Sequence, residues 1–172
     1  LSPRSSETPL IPLSDGAGVV ESVGAGVTEF AVGDNVVSTF FPLWLDGPAT
    51  IGDFTGTPGD GIDGFACDYV SASEQAFTRA PEGWSHLEAA TLTTAGVSAW
   101  RALFVHGNLQ PGETVLILGT GGVSIYALQL AHATGARVIV TSSSDEKLAR
   151  ARDLGAWETI NYVATPNWGA EV

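Results

Sequence analysis

The spacing of hydrophobic and polar positions changes near residue 84. Before that point, short apolar runs alternate with turns that contain glycine or proline, which is typical of a small antiparallel β barrel or sandwich. The runs predict strands over residues 19–23, 35–40, 64–70 and 76–79, with a long loop over residues 42–63. We therefore expect residues 1–84 to form a β-rich domain.

After residue 84 the pattern becomes helical, and then helices and strands alternate. Ser85 and Glu88 have the spacing of a capping box, which predicts a helix start, and helices over 87–93 and 96–106 fill a connector over residues 85–109. Residues 110–172 predict strands at 114–118, 137–141 and 158–161, with helices at 122–134 and 145–154. Gly135 and Gly155 follow these helices as left-handed caps would. The alternation predicts an α/β fold with a parallel sheet, the first half of a Rossmann doubly wound domain.

Composition limits the classes of partner. The net charge is −12 with only 7 Lys and Arg residues, which excludes a nucleic-acid surface and an anionic membrane face. No apolar run approaches the ~20 residues that span a bilayer. Cys67 is the single cysteine, so an intrachain disulfide is impossible and a cytoplasmic location is expected. The chain has no methionine, from which we expect it to be part of a longer protein.

A cluster of glycines lies between the predicted strand 114–118 and the helix 122–134. It reads Gly119-Thr120-Gly121-Gly122-Val123-Ser124, with Ser124 as the third small residue. Glycine removes the Cβ that would obstruct a pyrophosphate, and the free N–H groups of the helix favour a phosphate there. This context predicts a dinucleotide site at Gly119, Gly121 and Gly122. A tight turn without a ligand is the alternative.

Three serines stand where many dinucleotide-binding proteins carry an acid. An acid at the end of the second strand would bind the ribose hydroxyls and repel a 2′-phosphate. Here Ser142, Ser143 and Ser144 are neutral, and Lys147 follows at the start of the next helix. This pattern favours NADP(H) over NAD(H). In the alternative interpretation Ser144 or Asp145 only caps the helix and Lys147 is solvated.

Several segments together resemble the medium-chain dehydrogenase/reductase superfamily, on its zinc-type alcohol dehydrogenase-like and quinone oxidoreductase branch. The resemblance covers nearly the whole chain. The segments are DGAGVVESVGAGVTEFAVGDNVV (15–37), GFACDYV (64–70), AATLTTAGVSAWRAL (89–103), PGETVLILGTGGVS (111–124) and SSSDEKLARARDLGAWETINY (142–162).

This resemblance implies a partial GroES-like β-barrel domain followed by the Rossmann half, with a small-molecule substrate bound in the cleft between them. It also implies that the full-length protein is a homodimer and extends before Leu1 and after Val172. Its cofactor contacts carry over to residues with distinct roles: Gly121, Gly122 and Val123 at the pyrophosphate, Ser143 and Lys147 at the 2′-phosphate, Tyr162 near the adenosine, and Ser98 near the nicotinamide amide.

The zinc ligands of the family are not matched. The resemblance places Ser14 at the histidine ligand and Thr94 at a cysteine ligand, and a single cysteine excludes the four-cysteine zinc lobe. The three histidines show no ligand spacing, and Asp15 is interpreted as a turn or substrate-pocket acid. We therefore expect no zinc and no other metal.

Without a Lewis acid, acceptors that need little polarisation are favoured. The sequence thus predicts a zinc-independent, NADP(H)-dependent oxidoreductase of quinones, enones or alcohol/carbonyl substrates. An NAD(P)-dependent alcohol dehydrogenase, a non-catalytic nucleotide-binding protein and, less compatible with the serines, a methyltransferase remain alternatives. No catalytic residue is assigned: Thr94 and Tyr69 are candidate proton donors, but Tyr69 and Cys67 are expected to be packed in a strand. By itself, the 172-residue chain is expected to be poorly stable and inactive.

Overall fold

A computed structural model of the protein describes residues 9–48 and 56–170. The chain divides into two compact units, Leu1–Thr94 and Ala95–Val172. Each unit contains its own three-stranded sheet.

The sheet of the first unit is antiparallel. It is built from β1 (Ala17–Val19), β2 (Asn35–Ser38) and β3 (Phe77–Arg79), in the order β1-β2-β3. The central strand β2 carries β-branched Val36 and Val37, both buried, which is the composition that suits a pleated, covered surface. A short 3-10 helix, Glu74–Ala76, leads into β3 and buries Ala76.

Arg79 at the end of β3 joins several neighbours. Its guanidinium pairs with the Asp34 carboxylate at 2.8 Å, donates to the Glu29 carbonyl at 2.7 Å and lies 5.5 Å from the centre of the Phe30 ring. The pKa of the Asp34 carboxyl is lowered first by the N–H of Ala31, which donates to it, and then by Arg79. The charge of Asp34 is therefore favoured by the folded turn.

One predicted strand is wrong. Residues 64–70 form no strand, because the N–H groups of Gly64, Phe65 and Ala66 donate to carbonyls of residues 11–13 instead of to a sheet. Gly64 passes so close to the backbone of that segment that a Cβ there would collide with it, which is a known reason for glycine within an apolar run. As a result Tyr69 is 74% exposed and Cys67 is exposed, and neither is the packed strand residue that we expected.

The three other predicted strands differ in their bounds, the last only because it begins at Phe77 instead of residue 76. The first begins two residues earlier than predicted and ends at Val19, and the second ends at Ser38 rather than at residue 40. Beyond β1 the chain still pairs locally, since Val20 N–H donates to Asp34 O and Gly33 N–H to Val20 O. Gly33 has φ +95°, a conformation that only glycine adopts readily, and it closes this hairpin.

The predicted capping box is confirmed at α1 (His86–Ala90). The Glu88 carboxylate accepts from the Ser85 N–H at 2.9 Å and from the Ser85 hydroxyl at 2.7 Å, while the Ser85 hydroxyl oxygen accepts from the Glu88 N–H. These bonds lower the pKa of Glu88, the Ser85 hydroxyl contributing most. α1 packs against β1 and β2.

The second predicted helix of this region is helical but irregular. α2 (Val97–Trp100) is flanked by two π-helical segments, Leu92–Gly96 and Arg101–His106. Such turns are rare and often accompany functional sites.

The second unit has the predicted alternation. β4 (Thr114–Leu118), α3 (Gly122–Ala133), β5 (Arg137–Ser142), α4 (Asp145–Asp153) and β6 (Glu158–Asn161) follow in order, and the strands form a parallel sheet β4-β5-β6. A 3-10 helix, Trp168–Ala170, comes after β6. The central strand β5 is buried from Val138 to Ser142, which is typical of a parallel strand covered on both faces.

The core of this unit lies between β5 and the two helices. Leu128 of α3, Val138 and Val140 of β5, and Leu148 of α4 are buried together. Gly135 and Gly155 have φ values of +86° and +100°, so the predicted left-handed caps are confirmed. No helix within residues 9–48 and 56–170 combines the length and apolarity that a bilayer crossing requires.

Candidate functional site

The glycine turn joins β4 to α3 and leaves an open space in front of it. Gly119 has φ +83°, and its N–H donates to the Thr141 carbonyl at 3.0 Å, which fastens the turn to β5. Gly121 precedes the helix in an extended conformation, φ −80° and ψ −179°. No atom lies within 4 Å of the position that a Cβ would take on Gly119 or on Gly121. The space that side chains would occupy is therefore open to a ligand.

Among the residues that the structure describes, the N–H groups in the first turn of α3 have no hydrogen-bond partners. Gly121 provides no side-chain cap, and in the part of the chain that the structure describes no oxygen accepts from the N–H groups of Gly122, Val123 or Ser124. The Ser124 hydroxyl instead donates to the Leu118 carbonyl at 3.1 Å, which closes the turn behind the open face. Free N–H groups at the positive end of a helix dipole suit a phosphate. The residues present thus fit the pyrophosphate of a dinucleotide.

Ser98 belongs to the same unit as this turn. It is exposed on α2, which packs against α3, and the methyl group of Ala95 lies 3.5 Å from where a Cβ on Gly122 would be. The helix that carries Ser98 therefore begins beside the glycine turn.

The three serines after β5 have different surroundings. Ser142 is 5% exposed, and its hydroxyl oxygen accepts from the Ser144 N–H at 3.3 Å. Ser144 caps α4 by accepting from the Lys147 N–H at 3.4 Å. Ser143 is exposed, and among the described residues its hydroxyl has no hydrogen-bond partner. Ser142 and Ser144 thus build the turn, and Ser143 presents its side chain to solvent.

Lys147 lies in the first turn of α4. It is exposed, and within residues 9–48 and 56–170 no carboxylate pairs with it, whereas Arg150 one turn later is paired with Glu146 at 2.8 Å. The Asp145 carboxylate accepts from the Asn161 amide at 2.7 Å. The side chain that bonds to Asp145 therefore lies on β6 and not on α4.

Tyr162 follows β6 at the same edge of the sheet. Its N–H donates to the Ser142 carbonyl at 3.2 Å, and the residue is 42% exposed. The predicted cofactor residues around β5 are therefore brought to the carboxyl edge of one parallel sheet, where such sheets place their ligands.

The first unit contains a second polar cluster, at the positions where the resemblance places zinc ligands. The Ser14 hydroxyl donates to Asp15 Oδ1 at 2.9 Å, and the Thr94 hydroxyl donates to the same oxygen at 2.6 Å. Asp15 and Ser14 are half-buried and Thr94 is exposed. Sequence reasoning named all three residues separately but did not predict that one carboxylate oxygen joins them.

A buried serine fixes the backbone of this cluster. The Ser38 hydroxyl, 2% exposed, donates to the Ser14 carbonyl and accepts from the Gly16 N–H, both at 3.0 Å, and the Ser38 N–H donates to the Gly16 carbonyl at 2.8 Å. The Thr93 hydroxyl donates to the Ser38 carbonyl at 2.9 Å. The carboxylate of Asp15 is thus presented by a segment bonded on both sides.

This donor set does not fit a zinc ion. Zinc in proteins takes thiolate, imidazole or carboxylate ligands in tetrahedral geometry, and of the three side chains only Asp15 belongs to these types. The two hydroxyls point their protons at Asp15, so they act as donors there. In the described ranges, no three His, Cys, Asp or Glu side chains are grouped as a metal site.

An antiparallel β unit followed by a parallel βαβαβ unit with a glycine turn defines a GroES-like domain and a Rossmann-type half. Two family models match the chain accordingly: the alcohol dehydrogenase GroES-like domain over residues 2–82 and the zinc-binding dehydrogenase domain over residues 122–172. The chain belongs to the medium-chain dehydrogenase/reductase superfamily.

Individual relatives and solved structures are named as alcohol dehydrogenases or quinone oxidoreductases. A zinc-type alcohol dehydrogenase-like protein of Schizosaccharomyces pombe is 47% identical over 99% of this chain and 50% of its own. A crystal structure from Sinorhizobium meliloti 1021, provisionally assigned as an alcohol dehydrogenase, is 48% identical with a TM-score of 0.89, over 95% of this chain and 48% of its own. A quinone oxidoreductase of Pseudomonas aeruginosa is 35% identical over 87% of this chain and 40% of its own. The chain spans about half the length of the curated relatives it matches.

Proposed function

We propose that the whole protein is a zinc-independent oxidoreductase that uses NADP(H). It would transfer hydride between the nicotinamide and a quinone, an enone or an alcohol/carbonyl substrate. The observation that carries the proposal is the open glycine turn, where no acceptor within residues 9–48 and 56–170 bonds to the N–H groups of Gly122 and Val123 at the start of α3. The dinucleotide would supply or accept the hydride, and the chain's own residues would bind and orient it.

The preference for a phosphorylated ribose is inferred from charge. Positions 142 and 143 carry serines, so no acid is available there to bind the two ribose hydroxyls. Among the described residues, no carboxylate pairs with the Lys147 ammonium group. Of the two carboxylates in the first turn of α4, Glu146 is paired with Arg150, and Asp145 accepts from the neutral amide of Asn161. A 2′-phosphate would find the Lys147 cation and, among the described residues, an unbonded hydroxyl at Ser143.

The proposal of zinc independence is supported by the donor set. Ser14 and Thr94 cannot supply the imidazole and thiolate that the family's zinc members use, and both hydroxyls are bonded to Asp15. Without a metal to polarise a carbonyl, acceptors with an activated double bond are favoured, because for them the positioning of cofactor and acceptor contributes most of the rate acceleration.

We also propose a cytoplasmic location and a homodimeric assembly for the whole protein. Cys67 is the single cysteine and is exposed as a free thiol, which suits the reducing cytoplasm. The assembly is proposed to be a homodimer, as the family resemblance implies. Light scattering of the purified whole protein would measure the assembly directly, and a monomer would contradict it.

Two other functions stay as candidates. An NAD(P)-dependent alcohol dehydrogenase is favoured by the names of the Schizosaccharomyces pombe relative and of the Sinorhizobium meliloti structure. A nucleotide-binding protein without catalysis is favoured by the loss of both zinc-ligand types at Ser14 and Thr94.

Steady-state turnover of the whole protein distinguishes these functions. Oxidation of NADPH and NADH is followed at 340 nm with a benzoquinone, cyclohexenone and an aldehyde, before and after dialysis against a strong chelator. We expect NADPH turnover with the quinone or enone, a kcat/KM at least about tenfold lower with NADH, and no loss on chelation. Tight NADPH binding without turnover would indicate the non-catalytic protein, and activity that requires zinc would contradict zinc independence.

A further inference from the structure

We propose that Asn161 sets the preference for a phosphorylated ribose, as a positioning residue that acts through the carboxylate of Asp145. This inference rests on the proposed function, because it concerns the group that distinguishes NADP(H) from NAD(H). Asn161 is the last residue of β6, and Asp145 is the first residue of α4. Both residues lie in the second unit.

The side-chain amide of Asn161 is bonded at both of its ends. Its Nδ2 group donates to Oδ1 of Asp145 at 2.7 Å. Its Oδ1 atom accepts from the N–H groups of Val163 at 3.0 Å and of Ala164 at 3.4 Å. A backbone N–H group only donates and a carboxylate only accepts, so these partners allow one orientation of the amide. The amide therefore cannot turn over without losing all three hydrogen bonds.

The backbone that carries this amide is fixed as well. Asn161 is paired with Ser142 in the parallel sheet, and the N–H of Tyr162 donates to the Ser142 carbonyl at 3.2 Å. The Asn161 carbonyl accepts from the Thr165 N–H at 2.9 Å. A side chain on a backbone that is held in this way can keep its partner in one place, which a positioning residue must do.

Asp145 carries a negative charge beside the residues proposed to bind the 2′-phosphate. It lies two positions from Ser143 and two from Lys147, and among the described residues no cation pairs with it. An acid in this part of the fold can accept from the ribose hydroxyls, and it repels a 2′-phosphate with a strength that falls with distance. The bond from Asn161 holds the carboxylate at the end of β6, which keeps it from turning toward a phosphate bound at Ser143 and Lys147.

The same amide has a second effect, which both cofactors would share. The Val163 N–H, two residues further on, closes an Asx turn on the Asn161 oxygen, and Tyr162 lies inside that turn. Tyr162 is proposed to lie near the adenosine, which NADPH and NADH have in common. Loss of the turn should therefore weaken both cofactors alike, whereas release of Asp145 should weaken only the phosphorylated one. The ratio of two dissociation constants thus isolates the effect that passes through Asp145.

A double-mutant cycle in the whole protein tests this assignment. Asn161→Leu removes both hydrogen-bonding ends of the amide, and it is made in the wild type and in Asp145→Ala. The probes are adenosine 2′,5′-bisphosphate and 5′-AMP, and calorimetry measures their Kd values without nicotinamide and without turnover. The Kd for 5′-AMP divided by the Kd for the bisphosphate is the phosphate preference of each variant.

Asn161→Leu should lower the phosphate preference of the wild type. Because Asp145 is exposed, water screens its charge, and we expect a decrease of about fivefold. In Asp145→Ala no carboxylate is left to release, so the same substitution should change the preference by less than about twofold. Asn167→Leu is the matched control and should leave the preference unchanged, because Asn167 is exposed and its side chain makes no recorded hydrogen bond within the described residues.

Asn161→Asp decides the question if Asn161→Leu does not fold. It keeps an oxygen for the N–H groups of Val163 and Ala164 and replaces only the donor that faces Asp145. The two carboxylates repel each other, so the phosphate preference should fall. Asp145→Ala should restore it, because the pair of positions then carries one negative charge as in the wild type. An equal loss with and without Asp145 would mean that the new charge acts alone and would overturn the assignment.

The outcomes separate the role of Asn161 from the proposed function. If Asn161→Leu leaves the phosphate preference unchanged, or shifts it by the same factor with and without Asp145, the assignment is overturned and the proposed function stands. If the wild type binds 5′-AMP as tightly as the bisphosphate, the proposed preference for NADP(H) fails and the assignment fails with it. If the cycle gives the expected ratios but the whole protein turns over no acceptor, Asn161 keeps its role and the oxidoreductase proposal fails.

Discussion

The hydroxyl of Thr94 donates a 2.6 Å hydrogen bond to Oδ1 of Asp15, although 79 residues separate them in the chain. Ser14 reaches the same oxygen from the adjacent position. Ser14 and Thr94, which the resemblance places at zinc-ligand positions, are thus connected to each other through Asp15. They share one acceptor, and the backbone on either side of Asp15, at the Ser14 carbonyl and the Gly16 N–H, is bonded to buried Ser38 of the central strand β2.

Lys147→Ala should discriminate between the two cofactors. Removing the ammonium group should weaken NADPH binding by about tenfold, or ~1.4 kcal/mol, because one charge-assisted contact with the 2′-phosphate is lost. NADH binding should not change. Arg152→Ala removes an equal charge from the other end of α4 and is the control. Fluorescence titration gives both Kd values, and equal losses for NADPH and NADH would show that Lys147 contacts no 2′-phosphate.

Gly121→Ala should separate cofactor binding from folding. The backbone of Gly121 is extended, and no atom lies within 4 Å of the new Cβ, so thermal stability without ligand should be unchanged or slightly higher. The same Cβ would occupy the space in front of the turn and weaken NADPH by about tenfold or more. Gly26→Ala, also in open space, is the control for the added methyl group. An unchanged Kd for NADPH in Gly121→Ala would show that the pyrophosphate does not bind at this turn.

Ser38→Ala should destabilise the protein more than the same substitution at an exposed serine does. The substitution removes the partner of the Ser14 carbonyl and of the Gly16 N–H, two partly buried groups, which costs about 1–3 kcal/mol. Urea denaturation with Ser22→Ala as the exposed control measures the difference. If both variants unfold at the same urea concentration, Ser38 does not fix the segment that carries Asp15.

The capping box should make part of the stability dependent on pH. The folded-state pKa of Glu88 lies below the ordinary value of 4.5, because Ser85 donates two hydrogen bonds to the carboxylate. A lowered pKa means that this stabilisation is complete above the unfolded-state pKa and disappears as the pH falls through the folded-state value. The free energy of unfolding of Glu88→Gln should therefore be lower than that of the wild type at neutral pH, and the two values should converge in acid.

Chemical denaturation between neutral pH and pH ~3 measures this convergence. Glu21→Gln removes an exposed acid that makes no recorded hydrogen bond within the described residues, and it serves as the control. A constant difference between Glu88→Gln and wild type at all pH values would mean that the Glu88 charge is not coupled to folding.

The second unit was predictable from sequence because its signals are local. The apolar run over residues 138–140 lies at the centre of β5, and Gly135 and Gly155 end their helices where the periodicity stops. The capping box at Ser85 depends on a separation of three residues, which is visible in any sequence. In these cases the residues that stabilise an element lie within it or next to it.

The first unit was less predictable because its bonds are long-range. Residues 64–66 donate to carbonyls more than 50 positions earlier, a pairing that no period reveals, and so the expected strand is replaced by a close backbone crossing at Gly64. The hydrogen-bonded cluster around Asp15 could not be predicted from sequence for the same reason. Asp15 and Thr94 each look like ordinary polar residues until the fold brings them together.

The uncapped start of α3 has a consequence for the protein before any ligand arrives. Three N–H groups there have no acceptor within the described chain, so only solvent or a bound anion can satisfy them. Their amide protons should therefore exchange rapidly with deuterated water in the free protein and become protected when an anionic group occupies the turn. A ligand at this position completes the helix as a side-chain cap would, and folding stability then rises with ligand concentration.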